Sequence, residues 1–161
     1  MILFSFLSEL LSQDNYGNTK LWWAVWSNQT EKVQQILEDA KEVEVLSKVV
    51  NKAKWLDYVW QPWYYSTFYR HYGWTPLTVA SEKGRHKIVE LLLNNGAAID
   101  KSDKHGYTAL MQASLNGHLD VVMLLVQHKA DVHLKYRDGR TALDFARQRG
   151  HTKIEEILKK A

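Results

Sequence analysis

The sequence predicts an all-α solenoid of stacked helical units, and three observations carry that reading. Gly73, Gly106 and Gly139 stand 33 residues apart, and each opens the pattern Gly-x-Thr-x-Leu-x-x-Ala. A fixed period of this length signals units that bury one continuous core only by stacking. Within each period, two apolar stretches recur at helical spacing, separated by a glycine. Finally, threonines stand at helix starts and a glycine at a helix end, where helix termini favour them.

The unit from Gly73 shows the plan. Thr75 suits an N-cap and Pro76 the first helical position, which needs no intrahelical donor. Leu77 and Ala80 face inward, the small alanine allowing close helix approach. Gly84 ends the short helix and a second begins near His86, with Ile88, Val89, Leu92 and Leu93 for the core. Gly96 suits a left-handed C-terminal cap, and an extended loop runs from Ala97 to His105. The next unit repeats the plan with Gly117-His118 between its helices and Val121, Val122, Leu124 and Leu125 in its core. Lys129 stands where the preceding unit has Gly96, which predicts strain or a different cap there. The last unit has Gly150-His151, then Ile154, Ile157 and Leu158 among charged residues, the outer face a terminal unit needs.

The pattern appears once more upstream, as Gly17-Asn18-Thr19-Lys20-Leu21-Trp22-Trp23-Ala24. From Gly17 to Gly73 the step is 56 residues, 23 more than one period. The chain therefore divides into a covering amphipathic helix (1–13), a first repeat (14–40) and an insertion (41–70). Repeats at 71–103 and 104–136 follow, and a capping repeat at 137–161 ends the chain. Within the insertion, Leu46, Val49, Val50, Ala53 and Leu56 predict an additional helix. Beyond it, ten of the twenty residues from 55 to 74 are aromatic. Each such ring buries roughly 150–250 Å², so they cannot all face water. Two readings compete: a local mini-core on Trp22, Trp23 and Trp26, or an aromatic binding surface.

Composition bounds the function. The 161-residue chain is one domain, 45% hydrophobic and 24% charged, with net charge +3. It has no cysteine, so disulfides, thiolate chemistry and cysteine-ligated zinc are excluded. No apolar run approaches the roughly 20 residues that span a membrane. The first amino acids lack the basic region and cleavage site of a secretory signal. These features predict a cytoplasmic monomer with no membrane partner. Residues 71–161 carry 14 basic and 10 acidic side chains, far from the dense field of a nucleic-acid binder. His118 and His151 follow inter-helix glycines and fit structural bonds to turn backbone. His128 and His133 lack metal-site spacing. No phosphate-binding loop, nucleophile elbow or cofactor motif is present, and no catalytic residue is assigned.

The Thr75-Pro76-Leu77-Thr78 stretch, the Gly-His pairs and the Gly96-Ala97-Ala98-Ile99-Asp100 loop resemble the ankyrin repeat family. Agreement is strong over 71–161 and weaker over 14–40. Ala109 and Ala142 depart from it at the proline position, and Asn28 departs at the inter-helix glycine. The resemblance implies antiparallel helix pairs with hairpin-like loops, and a non-catalytic protein that binds a protein partner. It further implies that positions free of the packing pattern line the concave face and loop tips. Those positions are Trp26, His71, Tyr72, Trp74, Lys83, His105, Tyr107, Asn116, Arg140 and Arg149. Trp60, Trp63 and Tyr65 of the insertion join them.

Trp74, Tyr107 and Tyr72 are the expected anchors, with Arg140 and Arg149 as charged contacts. The competing reading of Trp74 and Tyr107 is mutual stacking that stiffens the loops. Such a module suits a stoichiometric inhibitor, an immunity protein or an effector. The alternatives are small-molecule binding by the aromatic insertion and nucleic-acid binding by Lys135, Arg137, Arg140, Arg147 and Arg149.

Overall fold

A computed structural model describes residues 20–42, 74–103 and 105–161. The expected covering helix, the insertion and the aromatic cluster before Trp74 lie outside these residues. Among the described residues all regular structure is helical, in four pairs. They are α1 (Lys20–Trp26) with α2 (Thr30–Glu42), and α3 (Pro76–Glu82) with α4 (His86–Asn94). Then come α5 (Ala109–Asn116) with α6 (Leu119–Gln127), and α7 (Ala142–Gln148) with α8 (Thr152–Lys160).

The pairs stack in two layers. In one, α1 packs on α3, α3 on α5 and α5 on α7; in the other, α2 packs on α4, α4 on α6 and α6 on α8. The first layer is made close by small side chains: Ala24, Ala80, Ala113 and Ala146 are all buried. The second layer supplies bulk between them, with Ile36, Leu92, Leu125 and Leu158 buried at matching positions. Ile88, Val89, Val121, Val122, Leu124 and Ile154 are buried as expected, whereas Leu93 and Ile157 are only half-buried. The last two sit at the margin of their helices' apolar stripes and pack against the core's edge.

Caps begin the first helices. The Thr75 hydroxyl accepts the Thr78 N–H at 3.2 Å, and Thr108 accepts that of Met111 at 3.3 Å. At the third start the roles reverse: the Asp144 carboxylate accepts both the backbone N–H and the hydroxyl of Thr141, each at 2.8 Å. These bonds satisfy donors that a helix start leaves open. At the C-terminal end of α6, Lys129 takes φ +66, in the left-handed region where the preceding unit has a glycine. The expected strain is thus present at that residue, at a cost of roughly 1–2 kcal/mol.

The turns inside the pairs interlock. Gly84 has φ +67, and a Cβ there would lie 2.5 Å from Nδ1 of His118 in the next pair. The His118 ring thus rests on bare backbone, and its Nε2 shares a 2.7 Å hydrogen bond with the Glu82 carbonyl. Gly117 repeats the arrangement under the His151 ring, with the nearest approach 2.6 Å. A histidine ring therefore meets each preceding turn, and His118 also takes the backbone-bonding role its position predicts.

The interlock sets an order among glycine substitutions. Gly84→Ala and Gly117→Ala should each cost about 2–5 kcal/mol, combining overpacking with left-handed strain. Gly150 shares the conformation but faces open space, so Gly150→Ala should cost only about 1–2 kcal/mol. Urea denaturation of the three variants measures this order.

Candidate functional site

The loops joining successive pairs are built by short polar bonds. Oδ1 of Asp103 accepts the backbone N–H of His105 at 2.8 Å and of Tyr107 at 2.9 Å. The Asp103 N–H bonds the Tyr107 carbonyl at 2.9 Å, closing a hairpin. Asp103 is itself buried, which pushes its carboxyl above the usual carboxylate range, while the N–H donors oppose that shift. One period on, the Tyr136 N–H bonds the Arg140 carbonyl at 2.7 Å and closes the equivalent hairpin.

Tyr136 occupies the register of Asp103, and its ring fills the space between the two loops. It lies 4.3 Å from the Tyr107 ring, and both rings meet Phe145, at 5.4 Å from Tyr107 and 5.7 Å from Tyr136. Burial pushes the Tyr107 hydroxyl up to about 12, helped by its hydrogen bond to Tyr136. Tyr107 therefore keeps its proton at any physiological pH.

Between this cluster and the ends of α3, α5 and α7 lies a cavity of about 250 Å³. Trp74, His105, Tyr107, Asn116 and Arg149 line it, so five of the residues chosen from sequence converge there. Glu82 and Leu115 join from helix ends, and Gln112 and Tyr136 complete the wall. The last two were missed. Gln112 is a buried polar residue inside a helix, and the only signal for Tyr136 is an aromatic ring where the preceding unit has Asp103.

Charge across this cavity is uneven. Glu82 is paired with Lys83 at 3.1 Å. Arg140 is held by Asp138 at 2.6 Å, and Arg147 by Glu155 at 3.0 Å. Among the described residues Arg149 forms no ion pair and is exposed. The groove therefore offers one free guanidinium beside aromatic and amide surface.

Two of the expected contact residues are engaged within the chain itself. Trp74 is 2% exposed, so its ring is packed rather than presented. Arg140 is braced, bonding Asp138 and Gln148 while lying 4.5 Å over the Phe145 ring. Both stand at the same place relative to their helices. They precede an N-cap threonine, the place from which a side chain folds back over the fourth helical residue. That residue is buried Val79 for Trp74, Gln112 for Tyr107 and Phe145 for Arg140. Tyr107 is half-buried and stacks with Tyr136 and Phe145.

Trp26 and Lys83 lie elsewhere and meet each other, the Lys83 Nζ 4.4 Å above the Trp26 ring. Trp26 also stacks on Trp22 at 5.1 Å. His71, Tyr72, Trp60, Trp63 and Tyr65 lie outside the described residues. Among the described residues no cluster of His, Asp or Glu is arranged to hold a metal, and no helix is long and apolar enough to cross a membrane.

Burial separates the wall of this groove from its working surface. Trp74→Ala should lower stability by about 3–5 kcal/mol, the range for emptying a buried large aromatic site. Arg149→Gln should change it by no more than about 0.5 kcal/mol. Thermal melts of the two variants measure the difference.

A family model described as ankyrin repeats (3 copies) matches residues 63–136 and 95–161, together more than half of the chain. No curated protein matches it. The family match, the paired helices in two layers and the hairpin loops agree: the chain belongs to the ankyrin repeat family.

Proposed function

We propose that the protein binds a protein partner through the groove between its hairpin loops and first helices. Ankyrin repeats are in general protein–protein interaction modules, and the groove is what this chain adds to that general property. The observation that carries the reading is the convergence of His105, Tyr107, Asn116 and the unpaired Arg149 on one cavity. An aromatic wall and one available guanidinium suit a partner side chain that is buried and hydrogen-bonded on docking.

In this reading the protein acts stoichiometrically, as an inhibitor, immunity protein or effector in the cytoplasm, by occupying its partner. The aromatic segment from 55 to 72 supplies a second contact surface in this reading, with Trp60, Trp63, Tyr65 and Tyr72 as its anchors. Catalysis has no assigned residues.

The test is affinity capture with mass spectrometry, comparing the wild-type chain with an Asn116→Arg/Arg149→Glu variant. A partner held by the wild type should bind the variant at least tenfold more weakly, a loss of about 1.4 kcal/mol. Equal retention by a folded variant would overturn the groove as the interface.

A further inference from the structure

The fourth residue of a first helix is a core position in the pairs on either side of α5. Val79 holds it in α3 and Phe145 in α7, and both are buried and apolar. In α5, which packs between those two helices, the same place holds Gln112. Gln112 is 4% exposed, so a polar side chain is buried where its counterparts are hydrocarbon. Its backbone groups are accounted for: the N–H donates to the Thr108 carbonyl at 3.1 Å, and the carbonyl accepts Nδ2 of Asn116 at 2.8 Å. Its side-chain amide has no hydrogen-bond partner among the described residues. An unmatched amide at this depth is costly.

The amide is not sealed in. The nearby Ser114 hydroxyl is enclosed and unmatched, whereas the Gln112 amide keeps accessible surface, and that surface opens on the groove whose wall Gln112 forms. Water meets the amide there until a ligand displaces it, and a ligand that gains affinity must reproduce the bonds the water made. At about 250 Å³ the cavity falls below the roughly 300–1,000 Å³ of pockets that enclose a drug-sized ligand. It is the size for a side chain.

The polar groups select among side chains. A primary amide donates through Nε2 and accepts through Oε1. An apolar occupant leaves both unmatched. A carboxylate sets an acceptor against Oε1 and shares the cavity with Glu82. A cation leaves Nε2 unmatched and shares the cavity with Arg149. A hydroxyl must serve both groups through one oxygen. A second primary amide carries N–H and C=O side by side, at the spacing of Gln112 itself, and pairs with it through two parallel bonds.

We propose that the groove is a pocket for an asparagine or glutamine side chain of the partner, whose primary amide pairs with Gln112. Arg149, exposed at the edge of the same cavity, is left for a main-chain carbonyl beside that side chain. The proposal rests on the groove's being a protein interface and names the chemistry of its anchor.

The test is a ¹H–¹⁵N NMR titration of the full chain with N-acetyl-glutamine methylamide, against the glutamate, serine and leucine analogues at matched ionic strength. The analogues share the probe's main-chain amides, so only the side chain differs. Saturable shifts of the Gln112 side-chain amide protons are expected with the glutamine probe, which should bind at least about threefold more tightly than each analogue. Gln112→Leu restores the apolar character of Val79 and Phe145. It should melt no lower than the wild type and bind the leucine analogue at least as tightly as the glutamine probe. Absence of a saturable shift, tighter binding of any analogue by the wild type, or an unchanged preference in Gln112→Leu would overturn the proposal. Affinity capture separates it from the reading beneath it. A partner lost by the Asn116→Arg/Arg149→Glu variant yet held equally by Gln112→Leu would overturn the amide pocket and leave the groove as the interface. A partner held equally by both variants would overturn the groove and the pocket together.

Discussion

The rest of the structure depends on a ring laid over a bare turn. Wherever His118 or His151 covers the glycine of the preceding pair, the distance between pairs is set by contact of imidazole with backbone. The Nε2 bond of His118 to the Glu82 carbonyl adds direction to that contact. With spacing fixed at the turns, buried alanines bring the first helices together, and the leucines of the second helices fill the wider layer. The helix pairs need one another for this core, which is why the fold is a stack and not a set of independent hairpins.

The groove is a consequence of the same spacing. Trp74 and Tyr107 line it, and Arg140 lies over Phe145, on which the Tyr107 ring also packs. Two neighbouring arginines are paired internally. Arg140 and Arg147 each answer an acid within the last unit, which leaves Arg149 available at the edge of the cavity. Recognition would thus rest on a small number of polar groups held by a rigid aromatic support, an arrangement that limits the side-chain entropy lost on binding.

Much of this was legible in the sequence because it repeats. The 33-residue period, the capping threonines and the core positions of α4, α6 and α8 are each written several times, so accidents of one unit do not obscure them. What escaped was individual to one unit. Treating the residue between Gly and Thr as outward-facing failed for Trp74, because folding back over the helix start buries a large apolar ring that would otherwise contact water. Tyr136 escaped because its partners, Tyr107 and Phe145, become neighbours only after two units stack. At the first junction Asn28, at φ +58, and Arg85 stand where the later ones have glycine and histidine. Both departures are visible in the sequence, but the ring-over-glycine contact they remove is a fact of three-dimensional packing. The aromatic segment before Trp74 carries no repeat at all, and its reading rests on composition.

The central claim is that the ring-over-glycine contact couples neighbouring pairs, and that its loss at the first junction makes α1 and α2 the least strongly held of the described helices. Native-state hydrogen exchange tests it most directly, because it reports the free energy of opening element by element. The account predicts that buried amides of α2, such as those of Val33 and Leu37, exchange through a partial opening at least about 1 kcal/mol below that of α5 and α6. Exchange of all four pairs through one global opening, with equal protection on both sides of the Asn28–Arg85 junction, would contradict it.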